Sequence, residues 1–255
     1  ILLALLFWQL LDQLRETQKH QRQYTIDYTA DLAAQVSLNM ALNAQIALNL
    51  LPIVEQPQTA ADQQALLRKV QQSLPEVRSL ALLSPSGKIL SDTADNAADA
   101  DYLADLVRRS RNQAHYFSNA EDGSTVHLLL HQASGSGRGY WALRLTPTFF
   151  SSLTQHDDGV IRPLWLVENR LNHQIISRDE MLPATRPALL SADDLASSVL
   201  TVPLSSSDWQ MRGLFNRQRV IEELLPAFIA KCLLGLAFSL LPLIALLNMR
   251  RRQLQ

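Results

Sequence analysis

The run from Cys232 to Met249 holds eighteen residues without a charge and ends on Arg250, Arg251 and Arg252. At about 1.5 Å of rise per helical residue it reaches ~27 Å, close to the hydrocarbon thickness of a bilayer. In lipid, the backbone groups of such a segment must bond to one another, so a helix is expected, kinked but not ended by Pro242. Basic residues collect on the cytoplasmic side of a span, and the triple arginine therefore places the end of the chain in the cytoplasm. A buried core helix is the competing reading, and an abrupt basic stop fits it poorly. At the other end, Ile1 to Leu11 reads ILLALLFWQLL, apolar except for Gln9, and stops at Asp12. Eleven residues are too few to cross, so this stretch is expected to be the end of a first transmembrane helix, with Trp8 at the interfacial level. No small-residue cleavage pattern follows it, which argues against a signal-peptide remnant. Two spans would then bracket about 210 residues outside the cytoplasm, in an excerpt of a longer protein.

Between the two apolar ends, Asp12 to Leu51 contains neither Gly nor Pro, and Pro52 closes it. Thr29, Ala33, Val36, Met40, Ala47 and Leu50 recur at helical steps, and Leu32, Leu42 and Ile46 widen the stripe. One long stalk helix is expected, solvated from Gln13 to Gln23 and ending before Pro52. Asn39, Asn43 and Asn49 interrupt the apolar face. The stripe packs on the helix's own domain, or part of it faces a second copy in a homodimer, with the asparagines fixing register. A net charge of −1 gives no reason to expect a nucleic-acid partner, and the single cysteine, Cys232, leaves no disulfide or cysteine metal cluster. No internal repeat of fixed period is visible.

From Thr59 to Ser73 helix character returns, ended by Pro75. Val77–Leu83 and Lys88–Ser91 read as strands around the turn Ser84 to Gly87, an S-P-S-G signal for a hairpin. Asp92 to Asp101 reads as a loop and Tyr102 to Arg111 as a short helix. Strands follow at His115–Ser118, Ser124–His131 and Gly139–Thr146. In the next part, after a polar break from Thr154 to Gly159, Pro163–Glu168 and His173–Ser177 form one hairpin. Val199–Leu204 and Trp209–Phe215 form another across Ser205 to Asp208. Arg217 to Glu223 starts the helix that leads into the span.

The stretches VRSLALLSPSGKILSDT (Val77 to Thr93), GYWALRLTPTFFSSL (Gly139 to Leu153) and VPLSSSDWQMRGLF (Val202 to Phe215) resemble the extracytoplasmic PAS-like sensor domains of bacterial receptors, often called Cache or PDC domains. Ser84 and Pro85 stand where those domains usually start the turn with an acidic residue. The resemblance implies an α+β fold: a long N-terminal stalk helix and two antiparallel-sheet PAS-like lobes, flanked by transmembrane helices. The divisions expected are 1–11 for the first span's end and 12–51 for the stalk. The membrane-distal lobe takes 52–155 and the small membrane-proximal lobe 156–216. The helix into the second span takes 217–249, and the cytoplasmic start takes 250–255.

Chemistry is sparse. His127 and His131 have H-x-x-x-H spacing, but VHLLLH reads as a strand, in which four residues span about 13 Å and cannot share one ion. Gly135 to Gly139 precedes a strand, whereas a phosphate loop needs a helix N-terminus. No catalytic serine motif, metal set or carboxylate pair appears, and no cofactor is implied. Strand alternation does put His127, His131, Tyr140 and Arg144 on one side of the first sheet. In Cache domains that face and the loop over it hold small ligands, and this set would suit a carboxylate or another small anion. Facing water is the alternative for the same residues. Tyr102, Arg108 and Tyr116 are further candidates from the covering helix and the neighbouring strand.

The resemblance implies the sensory input of a bacterial inner-membrane receptor, non-enzymatic in this part, with residues 12–223 in the periplasm. The output it would control is a cyclic di-GMP cyclase or phosphodiesterase, with a histidine kinase or a chemoreceptor as alternatives. A protein-interaction module without a small-molecule pocket is the competing class.

Overall fold

In the computed structural model the described residues are 2–51, 59–94, 100–110, 113–120, 125–132, 139–146, 148–153, 163–179 and 189–253. Residues 135–138 of the glycine-rich stretch and the polar break from Thr154 to Gly159 lie outside them. The chain forms two compact units, Tyr24–Leu214 and a helical one made of Ile1–Gln23 with Phe215–Gln255.

Helix α1 (Leu2–Leu50) runs unbroken for 49 residues, as the absence of Gly and Pro predicts. Within the larger unit its buried face is Thr29, Leu32, Ala33, Val36, Met40, Ala44 and Ala47. Burying side chains such as Val36 and Met40 contributes roughly 1.5–3 kcal/mol each. Leu42, expected on this stripe, is 57% exposed, and Leu38 is 69% exposed. Leu42 follows Met40 by two residues, which turns it about 200° around the helix and away from the core. The buried Thr29 hydroxyl donates to the Thr25 carbonyl at 2.7 Å, so it is not stranded there.

Helix α2 (Ala60–Ser73) starts where Thr59 caps it, its hydroxyl accepting from the Asp62 amide, and packs Leu67 and Val70 into the core. Five strands follow: β1 (Val77–Leu83), β2 (Ile89–Asp92), β3 (His115–Asn119), β4 (Val126–Gln132) and β5 (Gly139–Leu145), with helix α3 (Ala100–Arg109) between β2 and β3. They form an antiparallel sheet in the order β2-β1-β5-β4-β3. The β1–β2 turn closes as its sequence predicts. Gly87 takes φ +85°, and a Cβ there would lie 2.4 Å from the Ala104 Cα, so α3 rests directly on the turn. Asp92, read from sequence as loop, ends β2 instead.

Short helix α4 (Phe149–Leu153) leads to the second sheet, made of β6 (Leu164–Asn169), β7 (Ile175–Arg178), β8 (Ser198–Pro203) and β9 (Trp209–Leu214) in the order β7-β6-β9-β8. Helix α5 (Ala192–Ser197) precedes β8 and is started by a capping box between Ser191 and Asp194. One hydrophobic core joins α1, α2 and one face of each sheet, with Trp141 and Leu143 from the first and Trp165, Val167 and Met211 from the second. Gly213 lets β9 approach α1, since a Cβ there would meet the Thr29 hydroxyl at 2.2 Å. Phe117, Phe149, Phe150 and Trp209 stack between the sheets with ring centroids 4.8–5.7 Å apart for the Trp209 and Phe117 pairs.

In the other unit, α6 (Arg217–Gln253) is a 37-residue helix that accommodates Pro226 and Pro242. Leu233, Leu234, Phe238 and Leu241 are exposed on it. Among the described residues no helix is long and apolar enough to cross a membrane. The run from Cys232 to Met249 includes 243–248, whose side chains lie outside the described set.

Candidate functional site

Alternation along a strand sends every second side chain to the same face, and the register of the first sheet lines these side chains up in rows. On the face away from α1, Ser79 lies beside Arg144, Arg144 opposite His127, and His127 opposite Ser118. All four are buried, His127 and Ser118 completely. The next row is Ala81, Ala142, Leu129 and Tyr116, and the one beyond it holds Leu83, Tyr140 and His131. Helix α3 covers the middle row with Leu103, Leu106 and Val107. A polar row therefore crosses four strands under the edge of an apolar lid.

The sequence-derived candidates mostly converge on this face. His131 and Tyr140 have ring centroids 4.9 Å apart at one end of it. At the other, Tyr102 of α3 lies over His127 with centroids 5.0 Å apart and donates its hydroxyl to the Asn119 carbonyl at 2.8 Å. The alternative of a water-facing set does not hold for His127 and Arg144, which α3 and its surroundings bury. Arg144 donates both terminal nitrogens to the Asp92 carboxylate, at 2.8 and 2.9 Å, and also reaches the Ser79 hydroxyl at 3.2 Å. The fork of a guanidinium matches a carboxylate in this way, so the Arg144 charge is already balanced from within the chain.

Arg108 is not brought to the face: it points outward and pairs with Asp105 at 3.0 Å. Arg109 takes the inward position, with its guanidinium 5.6 Å from the centroid of the Tyr102 ring and an ion pair to Asp208. Tyr102 and Arg109 are seven residues apart, two helical turns, and so share one side of α3. Asp208 sits in the β8–β9 turn of the second sheet. Besides Arg109, its carboxylate accepts from the Tyr116 hydroxyl at 2.8 Å and the Ser118 hydroxyl at 2.7 Å.

Burial and pairing shift Tyr102, Tyr116 and Arg109. Burial pushes the Tyr102 phenol up to about 12, so it stays a neutral donor. Burial also raises Tyr116, and its hydrogen bond to Asp208 adds to the effect. Burial works against the charge of Arg109, yet the Asp208 carboxylate, with Tyr102 and Asp105, leaves its pKa raised.

Ser79, Ser118, Asp92, Arg109 and Asp208 were not among the sequence candidates. Strand parity alone could have found the two serines, and helical spacing from Tyr102 could have found Arg109. Asp92 and Asp208 gave no local signal, because each reads as an ordinary loop or turn acid whose partners lie 52 and 90–99 residues away.

On the equivalent face of the second sheet, Glu168 is fully buried and accepts from Gln210 at 2.6 Å and from Arg212. His173 lies 3.3 Å from its other oxygen.

No family model matches this chain, and no curated protein matches it. Solved structures do. The ligand-binding domain of the Pseudomonas fluorescens chemoreceptor CtaA, in complex with L-isoleucine, is similar with a TM-score of 0.54 at 10% identity, over 83% of this chain and 98% of that one. The ligand-binding domain of the Campylobacter jejuni chemoreceptor Tlp3, in complex with L-norvaline, gives 0.51 at 11% identity, over 81% and 93%. An extracellular ligand binding receptor from Desulfohalobium retbaense matches over 72% of this chain with a TM-score of 0.44 at 12% identity, and the chain spans 39% of that receptor's length. The two-sheet arrangement on one long helix is thus the fold of extracytoplasmic, Cache-type PAS-like ligand-binding domains.

Proposed function

We propose that this chain is the sensory input region of a bacterial inner-membrane receptor, and that it binds a small polar ligand between α3 and the first sheet. The observation that carries the reading is the buried row Ser79, Arg144, His127 and Ser118, closed by the Arg144–Asp92 pair. Burying such groups is costly, and a sheet face that needed only stability would carry apolar residues there. The ligand class follows from the pair itself. A simple anion would have to take Arg144 from Asp92 and leave that carboxylate unbalanced. A zwitterion offers a carboxylate to Arg144 and an ammonium to Asp92, so both charges stay paired. An α-amino acid is the smallest common molecule of this kind, and L-isoleucine and L-norvaline occupy the two chemoreceptor domains of the same fold. His127 and Tyr102, in ring contact beside the pair, would line its side-chain end, while His131 and Tyr140 lie two rows away on the same face.

The first sheet, with residues 52–155, is then the membrane-distal lobe and 156–216 the proximal one. Ile1 to Leu11 and the uncharged run from Cys232 to Met249 are the membrane segments, with Arg250 to Arg252 on the cytoplasmic side. The exposed Leu233, Leu234, Phe238 and Leu241 suit a helix that faces lipid. Leu38 and Leu42, exposed one turn apart on α1, are the surface through which two copies pair. The output under control is a cyclic di-GMP enzyme, with a histidine kinase or chemoreceptor output as alternatives.

The test is a thermal-shift screen of the 255-residue chain in detergent against the common amino acids. Stabilisation by an aliphatic amino acid, lost in Arg144→Met and in Asp92→Asn, is expected. No shift with any amino acid would sink the ligand reading, and a copurifying periplasmic protein would favour the interaction-module alternative. Topology is checked separately with a membrane-impermeant maleimide in a Cys232→Ser background. Ser86→Cys should label in intact spheroplasts and Gln253→Cys should not.

A further inference from the structure

The polar row does not end inside the first sheet. Ser118, its last member, donates to Asp208, which belongs to the turn that opens β9. We propose that α3 and Asp208 form a coupling device: α3 reads the ligand face at Tyr102 and passes its position through Arg109 and Asp208 to β9.

Three features build the device. Tyr102 of α3 contacts His127 on the candidate ligand face. At its middle, Ala104 is seated on Gly87, where no Cβ intervenes, so the helix has a close backbone support about which to tilt. At its end, Arg109 grips a carboxylate that also holds Tyr116 and Ser118 of β3. The turn carrying Asp208 is pinned to β3 by backbone bonds as well. The Phe117 amide donates to the Ser206 carbonyl at 2.8 Å, and the Asp208 amide donates to the Phe117 carbonyl at 3.1 Å. Asp208 thus ties the first sheet, its covering helix and the second sheet at one point. Trp209 follows immediately as the first residue of β9, and only Phe215 and Asn216 separate the end of β9 from the start of α6. A shift of α3 by a ligand would alter the hold on Asp208 and so the strand that leads into α6.

The inference rests on the proposed ligand face for where a signal begins, and its test is chosen to work without a ligand. Amide hydrogen exchange of the 255-residue chain in detergent reports local opening, and mutational effects on it can be combined in a double-mutant cycle. Leu103→Ala loosens α3 from the sheet. If α3 acts through Asp208, that change should speed exchange at Phe117, Asp208 and Trp209 to Leu214 by about tenfold, as should Asp208→Asn alone. In the double variant the two effects should not multiply, the second adding less than about twofold. Unchanged exchange at Phe117 and Asp208 in Leu103→Ala, or effects that multiply, would overturn the proposal. Should Asp208→Asn fail to fold, Arg109→Gln breaks the same link while keeping the Tyr116 and Ser118 bonds, and Gly87→Ala can replace Leu103→Ala. With L-isoleucine added, slowed exchange at these amides in the wild type and not in Asp208→Asn, with binding retained in both, supports the coupling. Slowing in both variants counts against it. If no amino acid binds either, the ligand reading fails while the cycle still decides the coupling.

Discussion

In the first sheet the opening hairpin β1–β2 places β1 against the closing strand β5, and in the second the hairpin β6–β7 places β6 against the closing strand β9. Both sheets lay one face on α1. Their outer faces differ in what covers them. The first lies under a ten-residue helix that buries Leu103, Leu106 and Val107. The second has a six-residue helix that buries none of its side chains, and a small cluster of Leu164, Leu166 and Leu214. Both outer faces carry a partly buried acid–arginine pair, Asp92–Arg144 in one and Glu168–Arg212 in the other. In the first, the pair belongs to a polar row under a helix with connections at both ends. In the second, Gln210, Arg212 and His173 close around Glu168 locally. A common strand order therefore carries two differently covered faces, and under the proposed function the first sheet is the receiver and the second the transmitter.

The largest effect expected is at the junction of the two. Trp209 is fully buried, stacks on Phe117 and Phe150, and donates its indole N–H to Asn119 at 3.0 Å. Trp209→Ala should cost about 4 kcal/mol in urea unfolding and make the two sheets melt separately in calorimetry. A single transition of unchanged cooperativity would mean that the sheets are not joined through this residue. The two ion pairs come next. Arg144→Met and Glu168→Ala each leave a partly buried charge, Asp92 or Arg212, without its partner, at about 2 kcal/mol. Only Arg144→Met should abolish stabilisation by an amino acid; equal loss in both would erase the division into receiver and transmitter.

Helix cover is tested by Leu106→Ala and Leu195→Ala. The first empties a buried site and should cost about 2–3 kcal/mol, while the second removes a half-exposed side chain and should stay within about 0.5 kcal/mol. The smallest effect is a pH dependence confined to the first sheet. Burial holds the His115 imidazole below its ordinary value of 6.5. The unfolded chain therefore binds the proton more readily, so this residue costs nothing above pH 6.5 and costs stability as the pH falls below it. His115→Gln should flatten that part of the stability–pH curve; an unaltered slope would assign it to other groups.

How much of this was legible in the chain varies by residue. The strand at Val77–Leu83 was read to the residue, because a short leucine-rich run headed by Val77 and bounded by Pro75 and an S-P-S-G turn admits few other conformations. The helix read from Thr59 to Ser73 is α2, with Thr59 as its cap, and α3 was found with its ends two residues late. The shared face of His127, His131, Tyr140 and Arg144 followed from parity alone. What parity cannot supply is what stands opposite. Arg144 looked like a free cation until Asp92 was seen beside it, and Arg108 was chosen where Arg109 faces inward, because a one-residue step turns a helix by about 100°.

The sequence by itself determined the elements: a Gly- and Pro-free helix, two sets of alternating strands, and an uncharged run with a basic stop. Those are local properties, set by periodicity, breakers and caps within a few residues. Only the tertiary structure decided the partners of Asp92 and Asp208, the helix that covers one sheet and not the other, and the face of α1 left open at Leu38 and Leu42. Each of these depends on charges or surfaces brought together across tens of residues of chain, and no periodicity encodes a meeting of that kind.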